Sequence, residues 1–98
     1  MKKIGILGST GSIGTQALDV VRNNPELKVT ALAAGTNVVE IEKQIREFQP
    51  SLAVMWSQEA AKDLKERVAD LDVKVLCGMD GLMEIASYDE VDVLLTAV

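Results

Sequence analysis

The sequence predicts an α/β protein, a doubly wound parallel sheet of about five strands in three α/β/α layers. Three observations carry this. Short apolar runs rich in β-forming residues alternate with stretches whose apolar residues recur at helical spacing. The breaks between them are short, and no linker, repeat or low-complexity segment interrupts the series. A glycine-rich turn joins the first strand to the first helix. Strands that alternate with helices imply right-handed crossovers, and hence a parallel sheet with helices on both faces.

Lys3 to Leu7 is a short apolar run that ends at a glycine turn, and it reads as a buried strand. Ile13, Ala17, Val20 and Val21 then recur at helical spacing, and that helix should stop at Asn23 and Asn24, before Pro25. Leu27 to Ala33 is the second strand. Ala34-Gly35-Thr36 is a turn, and Asn37 followed by Glu40 resembles a capping box. The second helix puts Val38, Ile41, Ile45 and Phe48 on one face, and Pro50 ends it. Leu52 to Met55 is the third strand. Ser57 caps a third helix that turns Ala60, Ala61, Leu64 and Val68 inward. Val73 to Leu76 is the fourth strand. Leu82, Met83, Ile85 and Ala86 suit a short fourth helix, and Asp92 to Val98 is the fifth strand. The chain stops at the ligand-binding end of that strand, as a truncated domain would.

Composition narrows the function classes. Ten basic and fifteen acidic residues leave a net charge of −5, which argues against nucleic acid or an anionic membrane as partner. No apolar run approaches the ~18 residues of a membrane span, and no signal or transit peptide is expected where a strand follows Met1 at once. Cys77 is the single cysteine, so no internal disulfide forms, in keeping with a reducing cytoplasm. With no histidine in the chain to activate it, Cys77 reads as a small buried apolar residue rather than a nucleophile. Lys62, Lys65, Glu66 and Arg67 read as a solvated helix face, and Asp89, Glu90 and Asp92 as a solvated loop. Trp56, just past strand three, reads as a partly exposed packing residue on the ligand side. No residue of the segment is assigned to catalysis or to a metal.

Gly8-Ser9-Thr10-Gly11-Ser12-Ile13-Gly14 carries the function. Gly8 suits a sharp turn off the strand, Gly11 a close approach of backbone to a pyrophosphate, and Gly14 tight helix packing. Thr10, Ser12 and Ile13 lie where their N–H groups can face phosphates at the positive end of a helix. A glycine triplet alone is weak, but this one follows the first strand, opens a helix and heads a βαβαβ series. It marks a Rossmann-like dinucleotide site, although the chain is short for six strands. Forms that bind NAD place an acid about 20 residues on, at the end of strand two, to hold the ribose 2′-OH. Here Ala31 to Asn37 contains none. Gly35, Thr36 and Asn37 offer N–H, hydroxyl and amide donors instead, which favours NADP, although no basic residue is present. The plainer reading is that Asn37 caps the helix and Gly35 turns the chain.

Ile6 to Gly14 resembles the opening of the 1-deoxy-D-xylulose 5-phosphate reductoisomerase family. The resemblance continues through Leu18 to Pro25, Ala31 to Val38, Pro50 to Met55 and Val91-Asp92, and so spans the chain. It implies that residues 1–98 are an NADP-binding Rossmann-like domain, without the catalytic and C-terminal domains of the intact enzyme. That enzyme would be an NADPH-dependent oxidoreductase of non-mevalonate isoprenoid biosynthesis. It would convert a phosphosugar, 1-deoxy-D-xylulose 5-phosphate, to 2-C-methyl-D-erythritol 4-phosphate. The resemblance further implies Mg²⁺ or Mn²⁺, bound outside this segment, and a cytoplasmic homodimer. By motif match, the cofactor contacts fall on Thr10, Gly11, Ser12, Ile13, Gly35, Thr36 and Asn37. Some members carry a basic residue where this chain has Thr36. The alternatives are a non-enzymatic NADP-sensing module, or the cofactor domain of another reductase such as a semialdehyde dehydrogenase. The apolar edge from Val91 to Val98 is expected to promote self-association of the isolated segment.

Overall fold

Strand β1 (Lys2–Leu7) enters the core through Ile4 and Ile6 and delivers the chain to the glycine turn. In the computed structural model, which describes residues 1–97, eight further elements follow. They are α1 (Ser12–Arg22), β2 (Leu27–Ala34), α2 (Val38–Phe48), β3 (Leu52–Met55), α3 (Gln58–Arg67), β4 (Lys74–Cys77), α4 (Gly78–Ala86) and β5 (Val93–Thr96). The five strands form one parallel sheet in the order β4-β3-β2-β1-β5.

That order makes the sheet doubly wound. The connections through α1, α2 and α3 all step in one direction. The connection through α4 returns across the sheet to the far side of β1. With right-handed crossovers the first three helices cover one face and α4 the other. The core divides accordingly. Leu18, Ile41, Ile45 and Leu64 pack on Ile4, Ile6, Val29, Leu32, Ala53 and Met55. On the opposite face Ile85 packs on Ala31, Ala33, Leu52 and Val54. The winding reverses between β1 and β5, so the glycine turn sits at the carboxyl end of the strand next to the switch.

β2 changes phase against β1. Ile4 pairs with Val29 but Gly5 with Ala31, which leaves Thr30 as an extra residue. Its hydroxyl donates to the Glu90 carbonyl (2.5 Å). Beyond it Leu32 and Ala34 face the α1–α3 side, and Ala31 and Ala33 the α4 side.

The element series agrees with the sequence, and the differences are local. Ile13 and Val20, expected to face inward, are 62% and 57% exposed; Gly14, Leu18 and Val21 are the buried residues of α1. The glycine contact described below fixes the helix rotation and turns Ile13 and Val20 outward. α4 starts at Gly78, ahead of the expected run, and buries Gly81 and Ile85 while Met83 is exposed. Its glycines masked it as a turn, yet Gly81 is there for proximity. A Cβ on it would lie 2.6 Å from Val54 Cγ1. Cys77 is half-buried against the core at the start of α4 rather than fully enclosed. The acids near Glu90 do more than solvate a loop. Glu90 pairs with Lys3 Nζ (2.6 Å), and Asp92 Oδ2 accepts from the Lys3 N–H (2.9 Å). The expected fifth strand runs only Val93–Thr96, and Val98 lies outside the described residues.

Ion pairs tie the outer helices together. Arg22 bridges α1 to Glu47 of α2 and also pairs with Asp19, and its guanidinium lies 5.3 Å from the centre of the Phe48 ring. Arg46 binds Asp70 (3.1 Å), and Arg67 binds Glu42 (3.2 Å). The hydrogen bond from Arg22 holds the Glu47 carboxyl below the usual range, and that from Arg46 does the same for Asp70. Carboxyls lowered in this way stabilise the fold above the ordinary carboxylate pKa of about 4, and the effect is lost as pH falls through the folded-state values. The denaturation midpoint should therefore drop on acidification below about pH 4, and Glu47→Gln should make the drop shallower. An acid profile identical in the variant would show that the Arg22 pair contributes nothing.

Candidate functional site

The turn between β1 and α1 is held by three elements at once. Gly8 leaves the strand with φ 81°, a left-handed conformation that favours glycine. The Gly8 and Ser9 N–H groups both donate to the Ala33 carbonyl on β2 (2.8 and 2.9 Å), and Gly11 N–H closes the turn on the Gly8 carbonyl (3.2 Å). From the other side Gly14 packs so closely that a Cβ would lie 2.1 Å from the Gly8 carbonyl oxygen and 2.7 Å from Ser9 Cα. Gly14 is therefore bare because of the turn's own backbone, rather than the sheet.

Gly11 differs in kind. Its φ of −78° is open to any residue, and a Cβ would stand 3.6 Å from its nearest neighbour, an ordinary contact. Gly35 is similar, with nothing within 4 Å of a would-be Cβ. Neither glycine is required by the packing around it. Both leave backbone open on the outer surface.

The first turn of α1 is unserved. Among the described residues the N–H groups of Thr10, Ser12 and Ile13 have no acceptor. Gly11 is the N-cap and has no side chain to supply one, and no acid lies in the first turn. α2 and α3 contrast with this. Asn37 and Ser57 cap them through side-chain oxygens, and each carries an acid in its first turn, Glu40 and Glu59. An uncapped, uncompensated helix N-terminus on the surface leaves N–H groups at the positive end of the helix dipole, the arrangement that suits an anion.

The second cluster adjoins the first, at the end of β2. Gly35, Thr36 and Asn37 are all exposed. Asn37 Oδ1 accepts the Glu40 N–H (3.2 Å), so the capping reading holds. The reciprocal half of a capping box is missing, since the Asn37 N–H has no acceptor among the described residues, nor has that of Thr36. With Oδ1 engaged, Asn37 Nδ2 is left as an outward donor. The cap and the donor role coexist. No acid stands in this loop.

Trp56 is 55% exposed and lines an apolar cavity of about 220 Å³ with Leu7, Gly8, Ala33, Ala34 and Leu82. A roomier cavity, about 610 Å³, runs along the outer edge of β4 and contains none of the expected site residues. No group of three or more His, Cys, Asp or Glu side chains able to hold a metal lies among the described residues, and no described helix is long and apolar enough to cross a membrane.

The sequence reading missed Gln44. It is 5% exposed, on the inner stripe of α2 between Ile41 and Ile45, and its Nε2 donates to the Ser9 carbonyl (2.8 Å). A polar residue at a core-facing helical position was the available signal.

The family model for 1-deoxy-D-xylulose 5-phosphate reductoisomerase matches residues 4–98. The chain belongs to that family. The curated reductoisomerases of Lachnoclostridium phytofermentans and Desulfitobacterium hafniense are 55% and 56% identical to it over its whole length. The chain spans about a quarter of their length (25% and 26%). Among solved structures, a reductoisomerase in complex with NADPH, fosmidomycin and magnesium superposes with a TM-score of 0.94 at 34% identity, covering 100% of this chain and 24% of that one. The Zymomonas mobilis reductoisomerase in complex with NADPH gives 0.84 at 32% identity, covering 91% of this chain and 24% of that one. The reductoisomerase family thus accounts for the fold and for the resemblance carried by the two motifs.

The two kinds of glycine should separate on mutation. Gly14→Ala gains helix propensity yet should destabilise the fold by about 1–3 kcal/mol, because the clash is with backbone. Gly11→Ala should cost less than about 1 kcal/mol. Chemical denaturation of both variants measures this, and equal midpoints would refute the assignment of Gly14 to close packing.

Proposed function

We propose that this chain is the NADPH-binding portion of a 1-deoxy-D-xylulose 5-phosphate reductoisomerase. The observation that carries the reading is the uncapped N-terminus of α1, where the unserved N–H groups of Thr10, Ser12 and Ile13 surround the unobstructed Gly11. These groups fit a pyrophosphate, which needs converging donors and a backbone it can approach. Gly35, Thr36 and Asn37 would hold the ribose 2′-phosphate through N–H, hydroxyl and amide donors. An acid at that position would repel the 2′-phosphate, and none is present. A backbone and hydroxyl site also needs no arginine or lysine at Thr36.

When bound, the cofactor supplies a hydride, and this chain binds and orients it. The reaction would be the rearrangement and reduction of 1-deoxy-D-xylulose 5-phosphate to 2-C-methyl-D-erythritol 4-phosphate, a step of non-mevalonate isoprenoid synthesis. Mg²⁺ or Mn²⁺ and the catalytic side chains would come from residues outside this segment. The intact protein would be a cytoplasmic homodimer. Leu94 and Leu95 on β5 are 37% and 36% exposed, which supports self-association of the isolated segment through that edge.

Fluorescence titration should give tighter binding of NADPH than of NADH, and Gly11→Val should abolish binding of both by blocking the pyrophosphate. Equal affinity for the two cofactors would overturn the 2′-phosphate assignment, and undiminished binding by Gly11→Val the pyrophosphate assignment. Light scattering of the segment should show a mass that rises with concentration; a constant monomer mass would remove the edge-pairing reading.

A further inference from the structure

We propose that Gln44 is a positioning residue for the pyrophosphate site, acting by fixing which way the Ser9–Thr10 peptide faces. The inference rests on the cofactor reading above and goes beyond it to a side chain buried beneath the turn.

The argument starts from the geometry of one peptide. A trans peptide is planar, so its C=O and N–H point in opposite directions. All described peptides of this chain are trans. The Ser9 carbonyl and the Thr10 N–H belong to the same peptide unit. Gln44 Nε2 donates to that carbonyl from beneath the turn (2.8 Å). A carbonyl oxygen can only accept, so the amide nitrogen of Gln44 must be the atom that faces it. Holding the carbonyl inward directs the Thr10 N–H to the opposite, outer side, where it has no acceptor among the described residues. The flipped peptide would bury the N–H and turn a carbonyl oxygen toward the phosphates, replacing a donor by a repulsive partial charge.

Among the described residues no other hydrogen bond reaches the Ser9 carbonyl. Ser9 is fully buried, and its own N–H is committed to Ala33. Its Cα and carbonyl carbon both lie against Gly14, 2.7 and 2.8 Å from where a Cβ would stand, and the carbonyl oxygen accepts from Gln44 Nε2. Ser9 Oγ and Gln44 Oε1 are both buried without a partner, so the bond from Gln44 Nε2 to the Ser9 backbone carbonyl is the hydrogen bond that joins the two residues. Gln44 also stands on the helix whose first residues follow Gly35, Thr36 and Asn37. α2 thus carries one end of the cofactor site at its N-terminus and braces the other from its middle.

The test uses the intact protein and two variants that remove the donor, Gln44→Leu and Gln44→Met. The ligands are NADPH and adenosine 2′-monophosphate, which keeps the 2′-phosphate and lacks the pyrophosphate. NADPH affinity should fall at least about tenfold in both variants, while adenosine 2′-monophosphate affinity stays within twofold of the parent. In the unliganded protein the backbone amide signals of Ser9 to Ile13 should shift in the Met variant, and those of α3 should not. Parent-like NADPH affinity in both variants, with the parent binding NADPH, overturns the inference and leaves the cofactor reading standing. Equal weakening of both ligands in both variants also overturns it, since Gln44 would then serve the fold at large. A parent that binds no NADPH removes the cofactor reading, and this inference falls with it.

Discussion

The close approach of Gly14 to the Gly8–Ser9 backbone is the contact on which the remaining geometry depends. It brings α1 against the end of β1 with no side chain between them. It also sets the rotation of the helix, since one turn takes 3.6 residues and each residue turns the next by about 100°. Once Gly14 faces the turn, Leu18 and Val21 follow it into the core, and Ile13 is carried to the surface beside Gly11. The first-turn N–H groups then emerge together at the end of the strand where the sheet reverses its winding. The helix starts uncapped because Gly11 at the cap position has no side chain, although a Cβ there would meet only an ordinary contact.

Such a helix start is weak in isolation, because it forgoes the stabilisation of about 1 kcal/mol that a good cap supplies. Burial elsewhere offsets it. Leu18 and Val21 are 2% and 6% exposed, and apolar side chains buried to this degree contribute about 1.5–3 kcal/mol each. The exposed N–H groups remain hydrated, so they carry little of the penalty that attaches to buried orphan donors. The fold can therefore keep them unpaired.

Much of this was legible in the residues. Strand and helix order, the parallel sheet with helices on both faces, and the placement of both donor clusters at strand ends follow from apolar periodicity and turn chemistry. Three things were hidden, each because it depends on a distant partner. The rotation of α1 is decided by an atom of Gly8, whereas Ile13, Ala17, Val20 and Val21 made an equally good apolar stripe. The true start of α4 was masked because glycine is a breaker by propensity, yet Gly81 is a close-packing residue against Val54. Gln44 looked like one polar residue among many on α2, and only the fold reveals the Ser9 carbonyl above it.

The extra residue in β2 has a bearing on how this chain tolerates changes of length. Thr30 resets the alternation of the strand, so that Val29 and Leu32 share a face although they are three residues apart. Everything downstream of it, including the side on which Gly35 to Asn37 leave the sheet, is counted from that reset. Excising Thr30 would straighten the strand. Val29 and Ala31 already lie on opposite faces, so without Thr30 they would follow one another in regular alternation and every side chain would keep its face; removing another residue of the run while the bulge stays would send part of the strand to the wrong face. Thr30 is therefore the position of the Val29–Ala34 run at which this central strand can lose a residue without moving its neighbours to the other face, at the cost of the hydroxyl bond to the Glu90 carbonyl.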